Sequence, residues 1–138
     1  MADALFVLMR WMHLTSMATL VGGMLFGRFA LSTSEQILAP DARESFGAKA
    51  AGAYRPLVMA AVMGLIISGT YNILTNPGHT VKYHILLGIK LLLVLHVFAA
   101  AFLVTQPTRN PRRARMMLSA VISGLIIIAI SAYLRRIF

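Results

Sequence analysis

Residues 83–105 read YHILLGIKLLLVLHVFAAAFLVT, 23 consecutive positions with Lys90 as their sole formal charge and His84 and His96 as their only imidazoles. A helix needs about 20 apolar residues to cross roughly 30 Å of hydrocarbon, so this stretch is long enough to span a bilayer. Working outward, comparable runs cover about residues 56–75 before it, 116–134 after it and 4–27 near the N-terminus. Four spans in 138 residues predict one transmembrane domain over 1–138, all-α, an integral membrane four-helix bundle.

Composition agrees. The chain is 59% hydrophobic and 12% charged, against roughly 45–50% apolar and about 25% charged in a soluble domain. A soluble globule of this length could not hide that much apolar surface. The mean hydropathy of +0.78 points the same way. The absence of cysteine excludes disulfides, Cys-ligated zinc, iron–sulfur clusters, CxxCH haem attachment and thiol nucleophiles. Asp3, Glu35, Asp41 and Glu44 are the only carboxylates, and none falls inside a span. Paired-carboxylate catalysis and oxygen-rich calcium or magnesium cages are thereby excluded.

The connections carry the polar residues. Between the first two spans, residues 32–53 show a capping-box pattern at Ser32 and Glu35 and a second helical start at Pro40 and Asp41. These signals predict a short interfacial helix on the membrane surface. Asn76-Pro77-Gly78 marks a turn between the second and third spans, and a Pro- and Arg-rich segment over 106–113 joins the third to the fourth. No cation precedes the first apolar run, which argues against a cleaved signal peptide.

Thirteen Lys and Arg against four Asp and Glu give a net charge of +9. In a membrane chain such an excess reports orientation before it reports an anionic partner, and it is no sign of nucleic-acid binding. Arg28, Arg43, Lys49, Arg55, Arg109, Arg112, Arg113 and Arg115 all fall on one side, whereas Lys82, Arg135 and Arg136 fall on the other. The positive-inside rule then makes the 32–53 and 106–114 connections cytoplasmic and puts both termini outside a bacterial-type inner membrane.

Two cations remain, Arg10 and Lys90, and they lie inside spans together with His13 and His96. Ionisable groups at such depth are costly and face a bundle interior or a polar cavity. At 1.5 Å per residue His13 lies about 13 Å below the outer edge, Lys90 about 10 Å, and His96 about 20 Å. His84 sits near the outer surface, and His79 lies in the outer loop. With about 100° per residue, Met9, Arg10, His13, Met17, Leu20, Met24, Gly27 and Arg28 share one side of the first helix. His84, Lys90 and His96 are spaced by six and point three different ways, so they cannot all serve one compact site.

Imidazole is the commonest metal ligand, and an interior without thiols or carboxylates leaves haem b or copper. Haem b needs one or two axial histidines, apolar walls and a cation such as Arg10 for a propionate. His13 is then the main iron ligand, with His84 or His96 in the second axial position or that position open. Copper would use His13 with Met9 and Met17, although methionine also fills gaps in packing. The plain alternative for His13 and His96 is a structural histidine bonded to a nearby hydroxyl or carbonyl. Small residues at Gly64 and Ser68, with Tyr71, Asn72 and Thr75, share one face of the second helix, and Gly23-x3-Gly27 and Ala120-x3-Gly124 allow close helix approach.

The first helix, Arg10-Trp11-Met12-His13 followed by Val21-Gly22-Gly23-Met24-Leu25-Phe26-Gly27-Arg28, resembles the opening helix of the CopD superfamily, in particular of HemJ-type protoporphyrinogen oxidases. The third, Tyr83-His84-Ile85 through Gly88-Ile89-Lys90-Leu91-Leu92-Leu93-Val94-Leu95-His96, is similar to their lysine-bearing helix, and Tyr54-Arg55-Pro56 is a weaker echo. This resemblance implies a four-helix membrane core that binds haem b and acts in electron transfer or as an oxidoreductase, with porphyrinogen oxidation as the enzyme version. It further implies that His13 ligates iron, that Lys90 assists binding or proton transfer, and that Arg28 is a structural or substrate-side cation. A redox partner protein, a quinone- or porphyrin-like small molecule and further copies of the chain are the partners such a role implies. The rival expectations are a copper-handling permease and a structural subunit of a larger membrane complex.

Overall fold

The computed structural model describes residues 2–75 and 80–137, with the side chain of Ile137 left out of the description. Four helices account for nearly all of them: α1 Ala2–Ile37, α2 Pro40–Thr75, α3 Val81–Val104 and α4 Arg113–Ile137. Each is long and apolar enough to cross a membrane, and the chain is an all-α four-helix bundle of the multi-pass membrane type. The turn expected at Asn76-Pro77-Gly78, and His79, lie outside the described residues.

The short interfacial helix does not exist as a separate element. The connection between α1 and α2 is only Leu38 and Ala39, and residues 32–53 are the prolonged ends of two 36-residue helices, each about 54 Å long. Ser32 and Glu35 fall in the last two turns of α1 and not at a helix start, because neither Gly nor Pro interrupts the chain between Gly27 and Pro40 and α1 runs on through the capping pattern. It stops where Pro40 disfavours helical backbone at Ala39, while Pro40 itself opens α2 without needing an N–H partner. Pro56, expected at the start of a span, stands inside α2. At α3 the Thr80 hydroxyl caps the helix by accepting from the Tyr83 N–H at 3.1 Å.

Around the bundle the order is α2, α1, α4, α3. α1 packs against α2 and α4, α3 packs against α4, and α2 and α3 meet far less. Apolar side chains gain little from one another in lipid, so close backbone approach has to hold the helices, and glycines supply it. A Cβ on Gly64 would collide with Ser16 Oγ, and one on Gly23 would run into the Tyr54 ring. The Tyr54 hydroxyl crosses to α1 and donates to the Thr19 carbonyl at 2.6 Å. A Cβ on Gly124 would stand 2.8 Å from Val21 Cγ2, and one on Gly27 would stand 3.0 Å from Met117 Cε. The buried core combines Leu20 and Met24 of α1, Val58 and Ala61 of α2, Val97, Ala100, Ala101 and Val104 of α3, and Met117, Ala120, Val121 and Ile127 of α4. Between Tyr83 and Val97 no residue of α3 is buried, so the α2–α3 seam is thin in the half of the bundle farthest from the short α1–α2 connection.

The opposite half is tied by Arg113, 3% exposed. Its Nε donates to the Val104 carbonyl at 3.1 Å, Nη2 to those of Gln106 at 3.1 Å and Thr108 at 2.6 Å, and Nη1 to Glu44 Oε1 at 3.4 Å. The same Glu44 oxygen accepts from the Asn110 N–H at 2.8 Å. This is the one ion pair among the described residues, and it fastens the α3–α4 connection to α2. Arg55 adds a second tie, with Nη1 donating to the Phe102 carbonyl at 3.2 Å and the guanidinium 4.7 Å from that ring centroid.

Two substitutions test this packing by unfolding in detergent. Gly64→Val overpacks the α1–α2 contact and should cost about 1–3 kcal/mol. Arg113→Met strips three carbonyls and Glu44 of a buried partner and should cost about 3–5 kcal/mol, well beyond the loss in Glu44→Gln. Equal losses for the two would show that the carbonyl bonds contribute little.

Candidate functional site

His13 projects from the middle of the first span, and α2 places Ser68 opposite it through the Gly64 contact one turn away. The His13 Nδ1 and Ser68 Oγ are 2.8 Å apart. Ser68 has one hydroxyl hydrogen, which is directed at the Gly64 carbonyl at 2.6 Å, with the Leu65 carbonyl at 3.4 Å. Its oxygen therefore accepts from His13, which places the imidazole proton on Nδ1 and the lone pair on Nε2. A histidine so held is pre-set as a ligand through Nε2, because the bond at the other nitrogen fixes tautomer and ring orientation.

Lys90 reaches the same region from α3, near enough for its charge to act on the His13 ring. It is half-buried, and among the described residues neither a carboxylate nor a hydrogen-bond acceptor pairs with it. The structure thus brings together a histidine with a free lone pair and an unpaired ammonium at the thin α2–α3 seam. Such a pair suits an acceptor-poor, electron-deficient centre for Nε2 beside an anionic group for Nζ.

The other sequence candidates fall elsewhere. Met17 is half-buried one turn along the His13 side of α1, and Arg10 is exposed. Arg28 lies 15 residues from His13, about 22 Å along the helix, half-buried with Nε enclosed and without a hydrogen-bond partner among the described residues. His84 is exposed and packs edge-on against Tyr83, with ring centroids 5.6 Å apart. His96 is exposed on the α4 side of α3, where its Nε2 lies 2.6 Å from Ser119 Oγ. His13, His84 and His96 do not form a three-residue metal cluster, and no such cluster of His or carboxylates occurs among the described residues. The six-residue spacing that turned the α3 histidines away from Lys90 persists in the fold.

Of the haem-ligand candidates, only His13 has a free ring nitrogen on the side of the bundle where Lys90 lies, so a haem b would have to be held by His13 with Lys90, and not Arg10, as the nearby cation. Of the thioethers expected for copper, Met9 and Met17 are both half-buried on α1, while Met24 is taken up in the core. In the sequence Ser68 is only one of the small and polar residues on a face of α2. The signal available was its spacing of four from Gly64, which places hydroxyl, carbonyl and close helix contact in one turn. No family model, no curated protein and no solved structure matches this chain.

Proposed function

We propose that this chain is a haem b-binding membrane protein that handles electrons within the bilayer, with His13 as the residue that would hold the iron. The observation that carries the reading is the His13–Ser68–Gly64 hydrogen-bond chain, which leaves Nε2 as an acceptor beside an unpaired cation. A hydroxyl partner alone would suit a structural histidine. What favours a ligand is Lys90, since an ammonium in lipid is costly without an anionic partner and the chain's four carboxylates lie at the ends of α1 and the start of α2, outside the apolar runs.

Haem b, when bound, supplies one-electron chemistry at its iron. The chain's own residues do the rest. Ser68 orients the imidazole, Lys90 pairs an anionic edge group, and the apolar flanks of α2 and α3 exclude water. The resemblance to the CopD and HemJ proteins supports this role and extends it to porphyrinogen oxidation. By the positive-inside rule the end carrying Arg113 faces the cytoplasm and both termini face outward across a bacterial-type inner membrane.

After haem-replete expression, the purified protein should show a Soret band and reducible alpha and beta bands; their absence sinks the proposal. His13→Ala should abolish them while His84→Ala retains them, and full haem content in His13→Ala would show that another group is the ligand. Ser68→Ala should lower haem affinity by about 10- to 100-fold, the usual effect of losing an outer partner of a metal ligand. Lys90→Met should release haem more readily on dilution, and Lys90→Arg should restore retention. If Arg and Met behave alike, the cation has no part in holding it.

A further inference from the structure

On the lipid-facing side of the α3–α4 contact lies a groove of about 270 Å³, bounded by His96, Ala99, Ala100 and Leu103 of α3 and by Arg115 and Ser119 of α4. It is separate from the His13 site. His96 and Ser119 form one hydrogen bond, at 2.6 Å. If Ser119 donates, His96 keeps an N–H at Nδ1; if His96 donates from Nε2, Ser119 keeps its O–H. Either tautomer leaves this pair one spare donor, and a donor facing hydrocarbon without an acceptor is costly.

Arg115 is exposed one turn before Ser119 on the same side of α4, its backbone about 6 Å nearer the helix end, so the groove offers a deep donor at the His96–Ser119 pair and a shallower one at Arg115. Ala99 and Ala100 keep the α3 wall low, which leaves room for a flat ring. The volume lies just below the usual range for small-molecule pockets, about 300–1,000 Å³. It suits one ring headgroup with its tail in lipid and is too small for a tetrapyrrole.

Depth separates the candidate ligands. His96 lies eight residues from the end of α3 and Ser119 six from the start of α4, about 12 Å and 9 Å from the helix ends. Phosphate and ester oxygens of a phospholipid stay in the headgroup layer. They can meet Arg115, two residues and about 3 Å from the start of α4, but not the deeper pair, whereas a neutral ring with carbonyl acceptors at opposite ends can reach from Arg115 to the His96–Ser119 pair. We propose that this groove binds the headgroup of a membrane quinone, with one carbonyl on the His96–Ser119 pair and the other on Arg115.

The test is photolabelling of the full chain in phosphatidylcholine nanodiscs with a short-tailed azidoquinone, mapped by mass spectrometry and competed with decylubiquinone. The label should fall on peptides containing 96–103 and 115–119, and decylubiquinone should displace it. His96→Leu and Arg115→Gln should each weaken labelling by about tenfold, the effect of losing roughly 1.4 kcal/mol of hydrogen bonding. Lys82→Gln, at the other end of α3, should leave it unchanged. Should His96→Leu fail to fold by circular dichroism, Ser119→Ala and the wild-type map decide. Label elsewhere, undiminished labelling in the folded variants, or displacement by phosphatidylglycerol but not by decylubiquinone overturns the proposal. The haem spectrum reports on His13 alone, so the two readings fail separately.

Discussion

Helices in lipid gain almost nothing by exchanging one apolar neighbour for another, so their association rests on how closely their backbones can come. In this bundle α1 supplies that closeness on two sides. Gly23 takes the Tyr54 ring and Ser16 meets Gly64 on the α2 side, while Val21 meets Gly124 and Gly27 meets Met117 on the α4 side. α3 has no comparable glycine contact: a Cβ on Gly88 would meet nothing within 4 Å. It is held by α4 along its length and by Arg55 at one end. The α2–α3 seam is consequently the weak side of the ring, and it is there that His13, Ser68 and Lys90 converge.

Several polar groups inside the spans meet a partner on a neighbouring helix. His13 has Ser68 and His96 has Ser119, each imidazole resting on a hydroxyl from a neighbouring helix. Tyr54 and Arg55 find backbone carbonyls across a helix interface. Lys90 alone among the buried or half-buried groups of the described seam lacks such a partner. The difference matters because a neutral imidazole resting on a hydroxyl carries no charge into lipid, whereas an ammonium in hydrocarbon calls for an anion. At the other end the Arg113 guanidinium shows the satisfied case, with three carbonyls and one carboxylate around it.

Some features were readable from local chemistry and others were not. Apolar run length located all four helices, because the hydrocarbon thickness sets a minimum that any spanning segment must meet. The short helix expected over residues 32–53 was misjudged because a capping box acts only where a helix begins; here α1 was already formed when the chain reached Ser32, and Pro40 was the real break. Arg113 looked like its neighbours Arg109, Arg112 and Arg115, since its distinction comes from Gly47, which lets the guanidinium lie against α2, and from carbonyls of a connection not yet folded.

The sequence by itself determined the number of spans, their all-helical character and the identity of the ionisable groups that lipid must accommodate, because these depend on length, hydropathy and helical phase within single segments. Tertiary structure decided which of those groups meet. Helical phase could show that His84, Lys90 and His96 diverge, but not which one turns toward α1. That choice depends on how the helices are rotated in the bundle, with glycine contacts setting α1 against α2 and α4, Lys90 within electrostatic range of His13 and His96 turned to Ser119 of α4.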